Sequence, residues 1–204
     1  MAVRFPPPLS KREFAEPAWE IARLFPAQGL WSEEDYLALQ TNRLVEYADG
    51  RIEVLSMPTD EHQSIVAYLY GVLAAFARLS GGKVLFAPLR LRLKSGKFRE
   101  PDLMLLLNAA DDRRHNEYWD GADLVIEVVS PDDPDRDWIT KRREYAQSGI
   151  AEYWIVDPRV QVITVLSLKQ GVYVEYGRFA CDTAVTSALL AGLKADVAAV
   201  FDAR

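Results

Sequence analysis

The chain has 204 residues, half of them hydrophobic and 26% charged, with a net charge of −6. That composition suits one globular domain with a proper core and excludes a disordered chain, while the acidic balance argues against a non-specific polyanion binder but leaves room for a local basic groove. The single cysteine, Cys181, excludes an internal disulfide and a Cys/His zinc finger; with no secretory signal and a longest apolar run of only Ile65–Ala77, a cytoplasmic protein without a membrane span is expected.

Residues 1–28 read as a Pro-rich N-terminal extension. Pro6-Pro7-Pro8 favours extended backbone and Glu16-Pro17 interrupts any helix, so only Trp19 to Phe25 could form an apolar turn, able to dock on the body or on a second subunit. The domain proper, residues 29–204, opens with a short amphipathic helix. Ser32 is its N-cap, Asp35 stands in the capping-box position, and Tyr36, Leu37 and Leu39 are its apolar residues. Leu44 to Val54 then reads as a hairpin around Asp49-Gly50, a strong tight-turn signal, with Glu46 and Glu53 on its two arms. An acid on a half-exposed hairpin is most simply solvated.

After Met57-Pro58-Thr59-Asp60 comes the clearest helix. Ile65, Val66, Leu69, Val72, Leu73 and Phe76 recur at the spacing of one buried stripe, and His62 falls on that stripe in the first turn. A histidine there is either a satisfied core residue or a ligand or base. Ser80-Gly81-Gly82 ends the helix. Leu89 to Lys94 alternates with period two, which turns leucines inward and Arg90, Arg92 and Lys94 outward. Past the Ser95-Gly96 turn, the returning strand becomes an apolar run after Pro101-Asp102. Asp102 is thereby a carboxylate at the mouth of a core strand, where the proline forbids a ladder bond.

Residues 108–121 read as a polar surface loop. Asp123 to Pro131 follows as a strand apolar on both faces except for Glu127 in its middle. Bare burial of that carboxylate costs several kcal/mol or more, so it needs a partner, either a basic side chain or a cation. Asp132 to Asp137 is an acidic, proline-broken loop without the order of a calcium loop, and reads as solvated. The helix Asp137 to Ser148 puts Trp138, Lys141 and Tyr145 on one face, where Lys141 either snorkels to water or joins a site. A strand from Glu152, a hairpin, and a short helical tail over Ala195 to Phe201 complete the sheet.

Two carboxylates, Asp102 and Glu127, with backbone oxygens form a hard donor set suited to Mg²⁺ or Mn²⁺, and a lysine beside the ion can orient water or steady charge on phosphorus. The Pro-Asp followed about 25 residues later by an acid in an apolar strand resembles the PD-(D/E)XK nuclease superfamily. More narrowly the chain resembles the Uma family of restriction-endonuclease-like proteins. The matching pieces are Glu46-Tyr47-Ala48-Asp49-Gly50, His62, Pro101-Asp102, Asp123 to Pro131, Lys141-Arg142-Arg143-Glu144-Tyr145, and Glu152 to Asp157. One departure from the superfamily pattern is Val129, which stands where the acid-x-lysine motif has its lysine; Lys141 on the next helix is the natural replacement.

The resemblance implies an α/β fold, a restriction-endonuclease-like mixed β-sheet flanked by helices, with the His62 helix on one face and the Lys141 helix on the other. It implies a Mg²⁺-dependent endonuclease acting on DNA, most simply as a homodimer. Asp102 and Glu127 would hold the metal, Lys141 would act on water, Glu46 and Tyr145 would assist, and His62 would line the site. Arg90, Arg92, Lys94, Lys97 and Arg99, clustered around the hairpin turn, are candidates for phosphate contacts, or a solvated strand face. The rivals are a catalytically silent binding or scaffold module on the same fold and a hydrolase of a smaller phosphodiester.

Overall fold

A computed structural model of the chain describes residues 25–41 and 43–203. Most of the expected N-terminal extension, up to residue 24, lies outside the described residues. From Phe25 onward the backbone is tied to the body. Phe25 stacks on Trp31 with ring centroids 5.9 Å apart, and the Gln28 side-chain amide exchanges hydrogen bonds with the Ile52 backbone (2.9 and 3.0 Å).

The elements follow the apolar patterning. Helix α1 (Glu33–Ala38) starts from Ser32 with both hydrogen bonds of a capping box in place. Strands β1 (Val45–Ala48) and β2 (Arg51–Val54) form the hairpin, its turn residues Asp49 and Gly50 both at positive φ (52° and 73°), as a two-residue turn with the twist of its strands requires. Helix α2 (Asp60–Ser80) is capped by the Thr59 side chain and closed by Gly81 at φ 80°. By length and composition α2 could cross a membrane, but Ile65, Val66, Leu69, Leu73 and Ala77 are buried against the sheet as a core stripe.

Strands β3 (Lys83–Phe86), β4 (Arg90–Arg92), β5 (Phe98–Arg99), β6 (Leu103–Leu106), β7 (Tyr118–Trp119) and β8 (Leu124–Val128) follow. A π-helical turn, Arg136–Lys141, then runs into α3 (Arg142–Ser148). Strands β9 (Glu152–Asp157), β10 (Val162–Lys169) and β11 (Val172–Ala180), a small hairpin of β12 (Ala184–Thr186) and β13 (Lys194–Asp196), and helix α4 (Val197–Phe201) complete the chain.

The main sheet has the order β11-β10-β9-β8-β6-β3 and is antiparallel except for the β8–β9 pair. Alternate residues of β8 serve opposite cores. Leu124, Ile126 and Val128 pack with α2, whereas Val125 and Val129 pack with Tyr145 of α3. The two helices therefore flank opposite faces, as the resemblance implies. A second sheet, β2-β1-β5-β4-β7, carries the hairpin.

Two expectations need correction. Residues 108–121 are not wholly a surface loop. They contain β7, parallel to β4, with Trp119 buried in the core; its isolated apolar pair among charged neighbours gave no strand periodicity. The helix expected from Asp137 starts as a π turn, which brings Asp137 and Lys141 inward together and leaves Trp138 half-buried. Asp137 is therefore a buried group and no part of a solvated loop.

Candidate functional site

The β6–β8 register sets the geometry. Leu103 faces Ile126, so the same register carried one residue further places Asp102 opposite Glu127 on neighbouring strands. Pro101 has no N–H to give the ladder, and Asp102 takes a rung itself: its Oδ2 accepts from the Val128 N–H at 2.7 Å. The same oxygen lies 3.2 Å from His62 Nε2. His62 reaches it from the first turn of α2, where its own N–H is held by the Thr59 cap. His62 Nδ1 is buried without a hydrogen-bond partner among the described residues. Burial works against a charge on His62, but the hydrogen bond and charge of Asp102, with Glu127 behind it, hold its pKa above the ordinary histidine value.

Glu127 is 2% exposed, and its partner is the lysine of the next helix. Lys141 Nζ lies 2.9 Å from Glu127 Oε2, while the Tyr145 hydroxyl donates to Oε1 at 2.5 Å. Lys141 also stands 3.2 Å from Asp137 and 3.9 Å from Glu46. Several carboxylates share one ammonium. Burial pushes Glu127 up to about 8; Lys141 opposes this, and the charges of Asp102, Asp137 and Glu46 add to it. Asp137 is likewise raised by burial. Burial disfavours the Lys141 cation, yet the surrounding carboxylates hold it well above the usual lysine range, so it stays charged.

Glu46 sits in this network without being solvated. It is buried and accepts from Arg99 (3.3 Å), from Arg136 and from the Glu100 N–H (3.2 Å); burial would raise its pKa, but the charges of Lys141, Arg99 and Arg136 outweigh it and lower the pKa. Glu53 lies directly across the hairpin from Glu46, and Arg136 bridges the two like charges, reaching Glu53 at 2.5 Å.

The cluster of cations around the hairpin turn does not form a free positive face. Arg99 is buried and forks onto Glu144 (2.9 and 3.0 Å), Lys97 pairs with Asp49 and Glu144, and Arg92 pairs with Glu33. Arg90 lies 4.4 Å over the Tyr36 ring, donates to the Leu37 and Leu39 carbonyls, and stands 3.9 Å from Glu100. Of the five, Lys94 alone makes no ion pair among the described residues. Alternation turned Leu91 and Leu93 inward as expected, but α1, α3 and the neighbouring β1–β2 hairpin supply partners to the cations of β4 and β5.

Sequence reasoning missed Asp137, Arg136 and Glu144. Asp137 had a signal, its i, i+4 spacing to Lys141, which the acidic run before it masked. Arg136 and Glu144 act across long sequence separations and had none.

Asp102, Glu127, Asp137, Lys141, His62 and Arg136 line one cavity of about 450 Å³. Among the described residues no three His, Cys, Asp or Glu side chains form a ready metal cage. A Mg²⁺-type ion does not need one, since it is usually bound by one or two carboxylates plus water and phosphate oxygens. The hard oxygens of Asp102 and Glu127 are a donor set of that kind.

A model of the Uma2 family, described as "Putative restriction endonuclease", matches residues 33–198, which include every side chain of the cluster. Among solved structures, the chain is similar to the crystal structure of a "putative nuclease belonging to DUF820" from Anabaena variabilis. The two are 20% identical with a TM-score of 0.68, over 86% of this chain and 98% of that one, a likeness of fold. No curated protein matches.

Proposed function

This chain belongs to the Uma2 family, and from that premise we propose that it is a divalent-metal-dependent endonuclease hydrolysing phosphodiester bonds in DNA. The observation that carries the reading is the meeting of Asp102 from the entry to β6, Glu127 from β8 and Lys141 from the π turn that follows, on the wall of one cavity. Asp102 and Glu127 would hold Mg²⁺ or Mn²⁺. When bound, such an ion polarises a phosphoryl oxygen and eases deprotonation of water.

The protein's own groups have separable roles in this reading. Lys141 remains protonated, so it acts as a fixed positive charge and donor and not as a base. It orients the attacking water or steadies charge on the phosphoryl oxygens. Tyr145 pins Glu127 through Oε1, and Asp137 and Glu46 hold the ammonium in place. Asp102 is fixed by the Val128 N–H and His62 through one oxygen, and its other oxygen has no hydrogen bond among the described residues. Lys141 thus takes the place of the lysine that Val129 displaces from the strand.

One observation favours a second reading, a catalytically silent nuclease-fold binding module. Lys141 is already surrounded by carboxylates, as a purely structural lysine would be. Cleavage of supercoiled plasmid with Mg²⁺ or Mn²⁺ separates the two, with wild type run beside Asp102→Ala and Lys141→Ala. Metal-dependent nicking lost in both variants supports the enzyme and its lysine. Loss with Asp102→Ala alone keeps the enzyme and removes Lys141 from it. No nicking together with no Mn²⁺ binding favours the silent module.

A further inference from the structure

The cavity at Asp102 and Glu127 adjoins a second recess of about 500 Å³, and the two share Leu44, Met57, Pro58, His62, Glu100 and Asp102 as a common wall. Beyond that wall the lining includes Phe86, Pro88, Gln63, Arg43, Arg90 and Glu117. Phe86 is 48% exposed and Met57 64%, large apolar groups left at the mouth of a charged site. The sheet fixes Phe86 beside the carboxylates: it pairs with Leu103, and the next residue, Ala87, donates its N–H to the Asp102 carbonyl at 3.4 Å. Tyr70 of α2 braces the Phe86 ring edge-on, with centroids 5.1 Å apart.

We propose that this recess receives an unpaired nucleobase next to the scissile phosphate, so that the preferred substrate is single-stranded or locally unpaired DNA and not intact duplex. The proposal rests on the nuclease reading above. A base within a duplex is stacked on both sides and cannot enter a side pocket without being flipped out, whereas an unpaired base can lie on an aromatic ring. Phe86, Met57 and Pro88 offer apolar surface to the base, and the Gln63 amide offers both a donor and an acceptor to its edge. Arg43 has no carboxylate partner among the described residues and is available to an adjoining phosphate. Arg90, the other cation of the recess, is engaged with Tyr36 and two backbone carbonyls.

The charge distribution points the same way. A duplex binder commonly neutralises about six to ten phosphates. Here four of the five cations around the hairpin turn are held by internal partners, and the chain carries a net charge of −6. Stacking on an exposed aromatic adds affinity that does not come from phosphate neutralisation.

The test is fluorescence anisotropy of the full chain with a labelled oligonucleotide, single-stranded or annealed, in Ca²⁺ in place of Mg²⁺ so that binding is read apart from cleavage. Wild type should bind the single strand about tenfold tighter than the duplex, and Phe86→Ala should weaken single-strand binding by about tenfold while leaving duplex binding unchanged. Tyr176→Ala, an equally exposed aromatic on β11, should change neither, and thermal melts should show both variants folded. Equal affinity for the two forms, equal loss in both variants, or no binding of either form would overturn the proposal. Phe86-dependent single-strand binding with neither nicking nor Mn²⁺ binding would keep the recess and remove the nuclease, while nicking without strand preference would do the reverse.

Discussion

Two glutamates in adjacent parallel strands are buried almost equally and do different things. Glu152 opens β9 opposite Leu124, and Glu127 lies three residues further along β8 opposite Ile155. Glu152 is met only by neutral donors: the Trp154 indole at 2.7 Å, the Ser187 hydroxyl at 2.6 Å and the Leu189 N–H at 2.8 Å. It fastens the segment after β12 to the sheet and makes no ion pair among the described residues. Glu127 is met by an ammonium and a phenol, shares the ammonium with other carboxylates, and lines a cavity. Burial of an acid in an apolar strand therefore does not mark a site. Under-compensated charge beside an open cavity does.

The comparison can be broken most directly by removing each carboxylate. In plasmid nicking, Glu127→Gln should cost about a hundredfold or more, the scale of losing one electrostatic contributor to a phosphoryl-transfer site, while Glu152→Gln keeps its rate below its melting temperature. Equal losses would erase the distinction. Urea unfolding should give the opposite ranking. Glu152→Ala leaves the buried Trp154 indole and Ser187 hydroxyl without an acceptor and should lower stability by at least about 1–3 kcal/mol, whereas Glu127→Gln removes a crowded charge and should not lower it near pH 8.

The pH dependence sharpens the same contrast. Folded Glu127 titrates near 8 against an ordinary value of 4.5, so between those values the folded state holds a proton that the unfolded state has lost. Its contribution to stability is therefore full below about 4.5 and declines as pH rises through 8. Glu127→Gln should remove that decline and Glu152→Gln should leave it, as urea melts across the window will show. The smallest effect belongs to the hairpin rim. Glu53 is largely exposed, and Glu53→Gln, which removes one arm of the Arg136 bridge, should change stability by less than about 1 kcal/mol in the same melts.

The sheet and both flanking helices were legible because their signals are local: a 3.6-residue stripe in α2, Asp49-Gly50 in the hairpin, and an unbroken apolar run in β8. Asp102, Glu127 and Lys141 were also legible as charged groups, Asp102 at the mouth of a core strand, Glu127 inside an apolar one and Lys141 on the aromatic face of the next helix. What the sequence hid was pairing. Arg92 alternates with leucines as a solvated strand cation does, and Arg99 follows the hairpin turn; only the packing of α1 and α3 reveals Glu33 and Glu144 beside them. Asp137 was hidden by the acidic run before it, and Trp119 by a strand too short for its period to show. Nothing local assigns the partners of Glu127, an acid among aliphatic residues, or of Glu152, an acid between Ala151 and Tyr153; only long-range contacts do.

The most direct measurement is calorimetric titration of Mn²⁺ into wild type, Glu127→Gln and Glu152→Gln. Wild type and Glu152→Gln should bind, with affinity rising as pH climbs towards 8 and Glu127 gives up its proton, and Glu127→Gln should lose most of the binding. Mn²⁺ bound equally by wild type and Glu127→Gln would contradict the assignment of Glu127 as a metal ligand and return it to the same structural class as Glu152.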